Sequence, residues 1–256
     1  MHLIKNDEYY FAFNKKEAMK VIELYKNKKI CVIDFEAFQL HSWAKSSFNK
    51  ITINDIPYTV CLNTLQYNQE TCEFESFNEQ VYQFCDDWKT QDQLLVKLEE
   101  MAIFIANYVK TNNIEIFLYM ADYLEKQALN FFVQTFSDIA ILKDYLILKG
   151  YDLYNFFFKE SNFKILSYTH KPQHMIKTFM YKYGDEYENF EIGRDGMKHF
   201  GDIIKGKNSN ILDFELVKKH SLIDLKKGTE LFNYINALAN WPDDQVINID
   251  LLSKEK

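Results

Sequence analysis

The stretch ICVIDFEAF, residues Ile30–Phe38, is the part of the sequence that decides the fold. It begins with apolar and β-branched residues, a composition typical of a buried strand. It ends with Asp34 and Glu36, which point to the same side because strand side chains alternate with period two. Two buried carboxylates repel each other and lose hydration unless a positive charge lies between them. A divalent metal would supply that charge. The alternative is a strand that ends in a solvated acidic turn.

The composition is that of one sizeable domain. The 256 residues are 47% hydrophobic and contain only seven glycines and three prolines, which argues against a loop-rich sandwich and against long linkers. The net charge of −7 does not indicate a strongly basic nucleic-acid binder, but it is compatible with an enzyme that has acidic metal ligands. The sequence shows no C-x-x-C pair, signal core or apolar membrane span, so we expect a cytoplasmic protein with reduced cysteines that does not bind membranes.

The hydrophobic pattern predicts a strand, a hairpin, a helix, a further strand and then helices. Strands are expected at 30–35, 57–65, 71–77 and 114–119, and helices at about 15–26, 90–110, 120–134, 152–157, 173–183, 195–206 and 212–240. Segment 139–148 fits either structure. The expected fold is therefore α/β, a mixed β-sheet with antiparallel first strands and helices on both faces. An N-terminal helical extension (1–29) precedes the domain (30–245), and a tail (246–256) follows it.

Glu125 is the second candidate acid. It follows the end of the strand at 114–119 by six residues and lies in the first turn of the next predicted helix. Open α/β sheets bind ligands at the ends of their strands, which favours a functional role. The alternative is an acid that interacts with the helix dipole, with Asp122 as the N-cap.

His220 and Asp224 form the third candidate group. A separation of four residues places both on one face of the long C-terminal helix. They can be a simple intrahelical pair, or a metal ligand with a general base. Asp152 is a possible accessory acid, or only an N-cap for the short helical segment that follows it.

The predicted loop at 41–54 is a candidate substrate contact. Trp43 is its single aromatic anchor, and Lys45 lies close by in sequence. An aromatic ring and lysines could stack on and hold a single strand. The alternative is an ordinary surface insertion.

Residues 33–36 resemble the first motif of the DEDD exonucleases, the ribonuclease H-like 3′–5′ exonuclease superfamily. In that superfamily the D-x-E motif ends the first, central strand, and a second acid opens a helix in a pattern similar to Y-N-x-x-F-[DE]-x-x-x-L. Residues 119–129, YMADYLEKQAL, are similar to that pattern, with Glu125 as the acid and Asp122 as its fallback. The usual Asn is replaced by Met120.

The third motif of the superfamily is a Tyr or His followed by Asp on a late helix. His220 and Asp224 resemble it, with the spacing of the Tyr-type branch but a histidine in the base position. The order of the motifs over residues 30–240 is most similar to uncharacterised bacterial predicted nucleases, found in mollicutes among others, of the RecB-associated, YprB-like branch. Pro57-Tyr58, Asp152-Leu153 and the segment 195–199 stand where that family has comparable residues.

This resemblance implies a metal-dependent 3′–5′ exonuclease that hydrolyses single-stranded DNA or RNA with two Mg²⁺ or Mn²⁺ ions. Asp34 would bridge both ions, Glu36 and Asp224 would bind the first, and Glu125 would reach the second. His220 would be the general base.

A contact to the sugar would lie close to Phe35 and Glu36. Two alternatives remain at this stage. One is a degenerate nucleic-acid-binding or scaffolding module on the same fold. The other is an interaction domain whose acids lie far apart on the surface.

Overall fold

The acidic stretch forms the middle strand of a five-stranded sheet. The computed structural model of the protein describes residues 2–6, 9–139, 150–159, 161–165 and 189–243. Their strands are β1 (His2–Asn6), β2 (Tyr9–Phe13), β3 (Ile30–Gln39), β4 (Asp55–Asn68), β5 (Glu73–Gln83), β6 (Ile116–Tyr119), β7 (Gly150–Asp152) and β8 (Phe163–Ile165). Their helices are α1 (Lys15–Tyr25), α2 (Gln91–Asn112), α3 (Asp122–Thr135), α4 (Tyr154–Phe157), α5 (Asn189–Ile204) and α6 (Phe214–Ala239). The predicted α/β class is confirmed.

The main sheet has the order β5-β4-β3-β6-β7. Strand β4 runs antiparallel to both β3 and β5, whereas β6 and β7 run parallel to β3 and to each other. Helix α2 provides the crossover between β5 and β6. Asp34 lies opposite Cys61 of β4, and Glu36 lies opposite Thr59. The two acids therefore lie in the part of β3 that pairs with β4, just beyond the end of its pairing with β6, and not in a frayed turn.

Strand β3 separates two apolar clusters. Its odd-numbered residues, from Cys31 to Phe35, pack into the cluster that contains α2 and α3. Ile30 and Val32 pack into the other cluster, with α1 and the C-terminal half of α6. By alternation, Asp34 and Glu36 lie on the second face, the face that α6 covers. A β-bulge between Glu36 and Ala37 changes this alternation and returns Phe38 to the first cluster.

Local sequence determines where the two long helices begin. Thr90 and Gln93 form a capping box at the start of α2. The Asp213 side chain accepts hydrogen bonds from the Glu215 and Leu216 backbone N–H groups at the start of α6, at 3.1 and 3.0 Å. Helix α6 therefore begins at a fixed register, and that register decides which of its side chains face β3.

The N-terminal hairpin was not predicted from the sequence. Strands β1 and β2 pair with each other, and β2 also pairs with β8, which makes a second sheet with the order β1-β2-β8. Helix α1, which was predicted, packs against α6, where the rings of Tyr25 and Phe232 are 6.1 Å apart. Residues 1–29 thus contribute a hairpin as well as the expected helix.

Two other differences concern element boundaries. Gly150–Asp152 is a strand, although Gly150 was expected only to end a segment. Helix α5 begins at Asn189 and not near Asp195. The predicted helix at 173–183, the tail at 246–256 and all but the first residue of segment 139–148 lie outside the described residues. Among the described helices, none combines the length and apolarity needed to cross a membrane.

Candidate metal centre

Helix α6 presents one polar stripe to the acids of β3. His220, Asp224 and Lys227 follow each other at intervals of four and three residues, so their side chains lie on one face of the helix. Their exposed fractions are only 1%, 6% and 2%, respectively. The stripe is therefore buried against the sheet. A simple surface ion pair would instead be exposed to solvent.

Glu36, His220 and Asp224 form the tightest group. Each offers one ligand atom, and these three atoms lie within 4.8 Å of one another. His220 Nε2 is 3.4 Å from Asp224 Oδ2 and 3.8 Å from Glu36 Oε1. The histidine ring therefore turns its Nε2 atom toward the two carboxylates.

Ser221 holds Glu36 in place. Its hydroxyl group donates to Glu36 Oε1 at 3.3 Å and lies 3.1 Å from the Val217 carbonyl oxygen of the preceding turn. Both Ser221 and Glu36 are buried. This hydrogen bond fixes one carboxylate oxygen of β3 relative to α6.

Glu125 joins the group from a third element. It is the fourth residue of α3 and is 5% exposed, so it is not a solvated dipole acid. Its negative charge acts on both Asp34 and Glu36. The N-cap of α3 is Ala121, without a side-chain capping bond, so the alternative that made Asp122 the N-cap is wrong. The Asp122 side chain is outside the described part of the chain.

Burial and mutual repulsion dominate the electrostatics of the cluster. Burial, followed by the negative charges of Asp224, Glu36 and Glu125, raises the pKa of Asp34 well above its ordinary value. Burial and the charge of Asp224 likewise raise the pKa of Glu36, against the opposing effects of the Ser221 hydrogen bond and Lys227. Four carboxylates thus act on one another in this cluster, whereas the interaction-domain alternative requires them to be far apart.

Asp34 carries an unsatisfied oxygen. Its Oδ2 atom is buried and makes no hydrogen bond to any of the described residues. A buried carboxylate oxygen of this kind loses its hydration without compensation, unless a cation binds it. The donor set, carboxylate oxygens with one imidazole nitrogen, is compatible with a hard divalent cation such as Mg²⁺ or Mn²⁺. The residues present therefore fit a metal site.

Lys227 is a feature of the cluster that the sequence analysis missed. Its ammonium group forms a buried ion pair with Asp224 Oδ1. Its charge also lowers the pKa values of Asp34 and Glu36, although burial and the neighbouring acids outweigh this effect. Helical periodicity could have predicted its position, because Lys227 continues the stripe that His220 and Asp224 begin.

Tyr154 is a second residue that was missed. Burial first, and then the charges of Asp152, Asp224, Glu125 and Asp34, raise its pKa, so this half-buried side chain lies at the border of the acid cluster. Asp152 Oδ1 accepts a hydrogen bond from the Tyr154 backbone N–H at 2.8 Å. Asp152 thus has a local role at the start of α4, similar to the capping role considered for it.

The predicted substrate contacts differ in exposure. Phe35 is 4% exposed and packs near Phe132, so its side chain is not available to a ligand. Trp43 is 46% exposed, stacks on His41 and has Lys205 Nζ 4.9 Å from its ring centroid.

Trp43 is not the anchor of its loop. The buried residues Ala44, Phe48 and Ile51 anchor the segment. Lys45 is exposed and donates to Asn54 Oδ1 at 3.3 Å. The loop begins five residues after Glu36, which is about 16 Å along an extended strand.

Met120, in the position of the family's Asn, contacts α6. A Cβ atom on Gly228 would be 3.5 Å from Met120 Cγ and 3.0 Å from Val32 Cγ1. Gly228 therefore lets the helix approach the sheet closely, one residue after Lys227. Met120 fills apolar space at this contact and offers no hard oxygen ligand.

The comparisons with known proteins identified no similar protein. No protein-family model matches the chain, and no curated protein matches it significantly.

Proposed function

We propose that the chain is a ribonuclease H-like, metal-dependent 3′–5′ exonuclease that acts on single-stranded DNA or RNA. The observation that carries the proposal is the convergence of Asp34, Glu36, Glu125 and Asp224 in one buried cluster, although they come from three elements. Burial of several ionised carboxylates is costly, which makes such a cluster a candidate functional site and favours a bound cation.

The topology supports the same proposal. The D-x-E motif lies on the first and central strand of the main sheet, and the next two strands are antiparallel. The second acid is in the first turn of α3, which follows the parallel strand β6. The last acid is on the long helix α6. These are the placements that the resemblance to the DEDD exonucleases implies.

The four acids would hold two Mg²⁺ or Mn²⁺ ions, with Asp34 between them and His220 beside the first. Bound there, the ions would supply charge stabilisation on both sides of the cleaved phosphodiester bond. His220 Nε2 lies 3.4 Å from Asp224 Oδ2, so the ring is held beside the acids, and His220 would be the general base. Ser221 holds Glu36 Oε1 at 3.3 Å, so the two elements keep a fixed spacing.

The exposed ring of Trp43 can stack on a base of a single strand, and Lys45 and Lys205 can contact its phosphates. Tyr154 borders the acids and can line the path of the 3′ end.

The decisive experiment uses 5′-labelled single-stranded DNA and RNA oligonucleotides with Mn²⁺ or with chelator. We expect a ladder that shortens from the 3′ end only with the metal. Asp34→Asn and Asp224→Asn should abolish the ladder, whereas Glu70→Gln, at an exposed acid in the β4–β5 turn, should not. Unchanged cleavage by either Asn variant would refute the proposal.

One observation favours a second candidate, a nucleic-acid-binding module without catalysis. An ammonium group already pairs with Asp224, and Met120 replaces the family's Asn. Calorimetric titration with Mn²⁺ separates the two functions. A binding module would give no heat from the metal but would still bind a single strand.

A further inference from the structure

Lys227 is an unusual component of a metal-binding cluster. It is 2% exposed, and a lysine is almost never buried to this extent unless it is paired. Its ammonium group contacts Asp224 Oδ1, while Asp224 Oδ2 faces His220 Nε2 at 3.4 Å. Both oxygens of the acid proposed to bind the first ion are therefore engaged by side chains of its own helix.

The charge of Lys227 extends beyond Asp224. Its ammonium group also acts on Asp34 and Glu36, the two acids of β3. The cluster thus contains four carboxylates and one ammonium group that belongs to the protein itself. A lysine ammonium is a compact point charge, so it repels a divalent ion that approaches the same carboxylates.

We propose that Lys227 is a charge-balancing residue that takes the place of one divalent ion, so that the substrate-free protein binds one ion tightly and not two. This inference rests on the proposed function, because it assumes that the acids bind metal. It changes the expected occupancy of the site, because Lys227 supplies one positive charge beside the four carboxylates and one divalent ion supplies two more, which leaves little attraction for a second ion. A second ion would bind only after Lys227 leaves Asp224.

The backbone next to Lys227 keeps the ammonium group in the cluster. Gly228 follows it and lies so close to the sheet that an added Cβ would be 3.0 Å from Val32 Cγ1. Helix α6 is therefore held tightly against β3 and β6 at this turn, and the Lys227 side chain is enclosed. Lys226, its neighbour, is exposed on another side of the helix, and it provides a matched control.

The test is calorimetric titration with Mn²⁺ alone, at fixed pH, on the wild-type protein and on Lys227→Met, Lys227→Gln and Lys226→Met. We expect one ion per chain for the wild type and for Lys226→Met. We expect two ions for the Lys227 variants, or a first ion that binds about tenfold more tightly, because the repulsion is removed. A merely structural lysine would not change the number of ions.

The possible outcomes separate this inference from the proposed function. Two ions in the wild type, with affinities equal to those of Lys227→Met, would overturn the inference and leave the exonuclease proposal intact. No Mn²⁺ binding by any of these proteins would overturn the metal centre itself, and the inference with it. If both Lys227 variants fail to fold, the wild-type stoichiometry still decides, since two tightly bound ions contradict the inference.

Discussion

At the scale of single residues, the cluster depends on how each buried carboxylate is compensated. Glu36 has Ser221 and is close to His220, Asp224 has Lys227 and His220, and Asp34 has an oxygen without a hydrogen bond from the described residues. The carboxylates thus differ in the number of hydrogen-bond and ion-pair partners that offset their burial. Asp34 and Glu36 of β3 are less well offset than Asp224. Two predictions follow from that difference.

The first concerns pH. Because the folded-state pKa values of Asp34 and Glu36 are raised, the folded metal-free protein binds more protons than the unfolded chain above about pH 4, the ordinary carboxylate pKa. The stability contribution of these two groups therefore falls as pH rises from there through their folded pKa values. His199 acts in the opposite direction, because burial lowers its pKa and stability is lost as pH falls below about 6.5.

The variant Asp34→Asn removes the titrating carboxyl group of Asp34 and so tests its contribution to the pH dependence of stability. In chelator at pH 8, we expect this variant to be about 1–3 kcal/mol more stable than the wild type, with the difference shrinking toward pH 4. Thermal unfolding across the pH range measures it, with Glu70→Gln as the control. A variant that is less stable at pH 8 would show that repulsion does not dominate at Asp34.

The second prediction concerns Ser221→Ala. Loss of the hydrogen bond to Glu36 should lower the free energy of unfolding by about 1–3 kcal/mol, the range for a buried bond to a charged group. It should also weaken Mn²⁺ binding, because Glu36 loses its fixed position. Denaturant unfolding and calorimetry measure the two effects. Ser46→Ala, in an exposed turn, should change neither.

At the scale of elements, close packing around β6 positions the strand that follows. A Cβ atom on Gly150 would lie 2.0 Å from Cε2 of the buried Tyr119 ring, so only glycine fits where β7 meets β6. Asp152 and Tyr154 follow within four residues. The border of the acid cluster thus depends on a close contact between the Gly150 backbone and the Tyr119 ring.

Gly150→Ala should therefore destabilise the protein by about 1–3 kcal/mol, the usual result of overpacking. Gly193→Ala is the matched control, because a Cβ there meets nothing within 4 Å and the residue is inside α5. The control should be stabilised by roughly 1 kcal/mol through helix propensity. Equal unfolding midpoints for the two variants would contradict the steric explanation.

At the scale of the whole molecule, metal binding and folding are coupled. The ligand groups come from β3, α3 and α6, which unfolding separates, so an ion that binds the cluster stabilises the folded state alone. Mn²⁺ at about 100 times its dissociation constant should add about 2.7 kcal/mol. That corresponds to a rise in Tm of roughly 5–10 °C for a chain of this size.

Differential scanning calorimetry with and without Mn²⁺ measures this shift. Asp224→Asn should lose most of it, whereas Glu70→Gln should keep it. A shift of the same size in Asp224→Asn would place the ion elsewhere on the protein.

The sequence alone determined the features that depend on neighbouring residues. A run of apolar, β-branched residues predicted β3, and period-four spacing predicted that His220 and Asp224 share one helix face; both are confirmed. Apolar residues at helical spacing predicted α2, and both α2 and α6 were placed to within a few residues of their observed ends. These patterns are local, so they can be read without knowing what packs against them.

Only the tertiary structure decided which of these elements meet. The pairing of β2 with β8 joins segments about 150 residues apart, and neither strand is long enough to be recognised by its own periodicity. The enclosed position of Lys227 depends on the packing of α6 on β3, which places its ammonium group beside Asp224. Burial and long-range charge depend on contacts between distant segments, and those contacts exist only once the chain has folded.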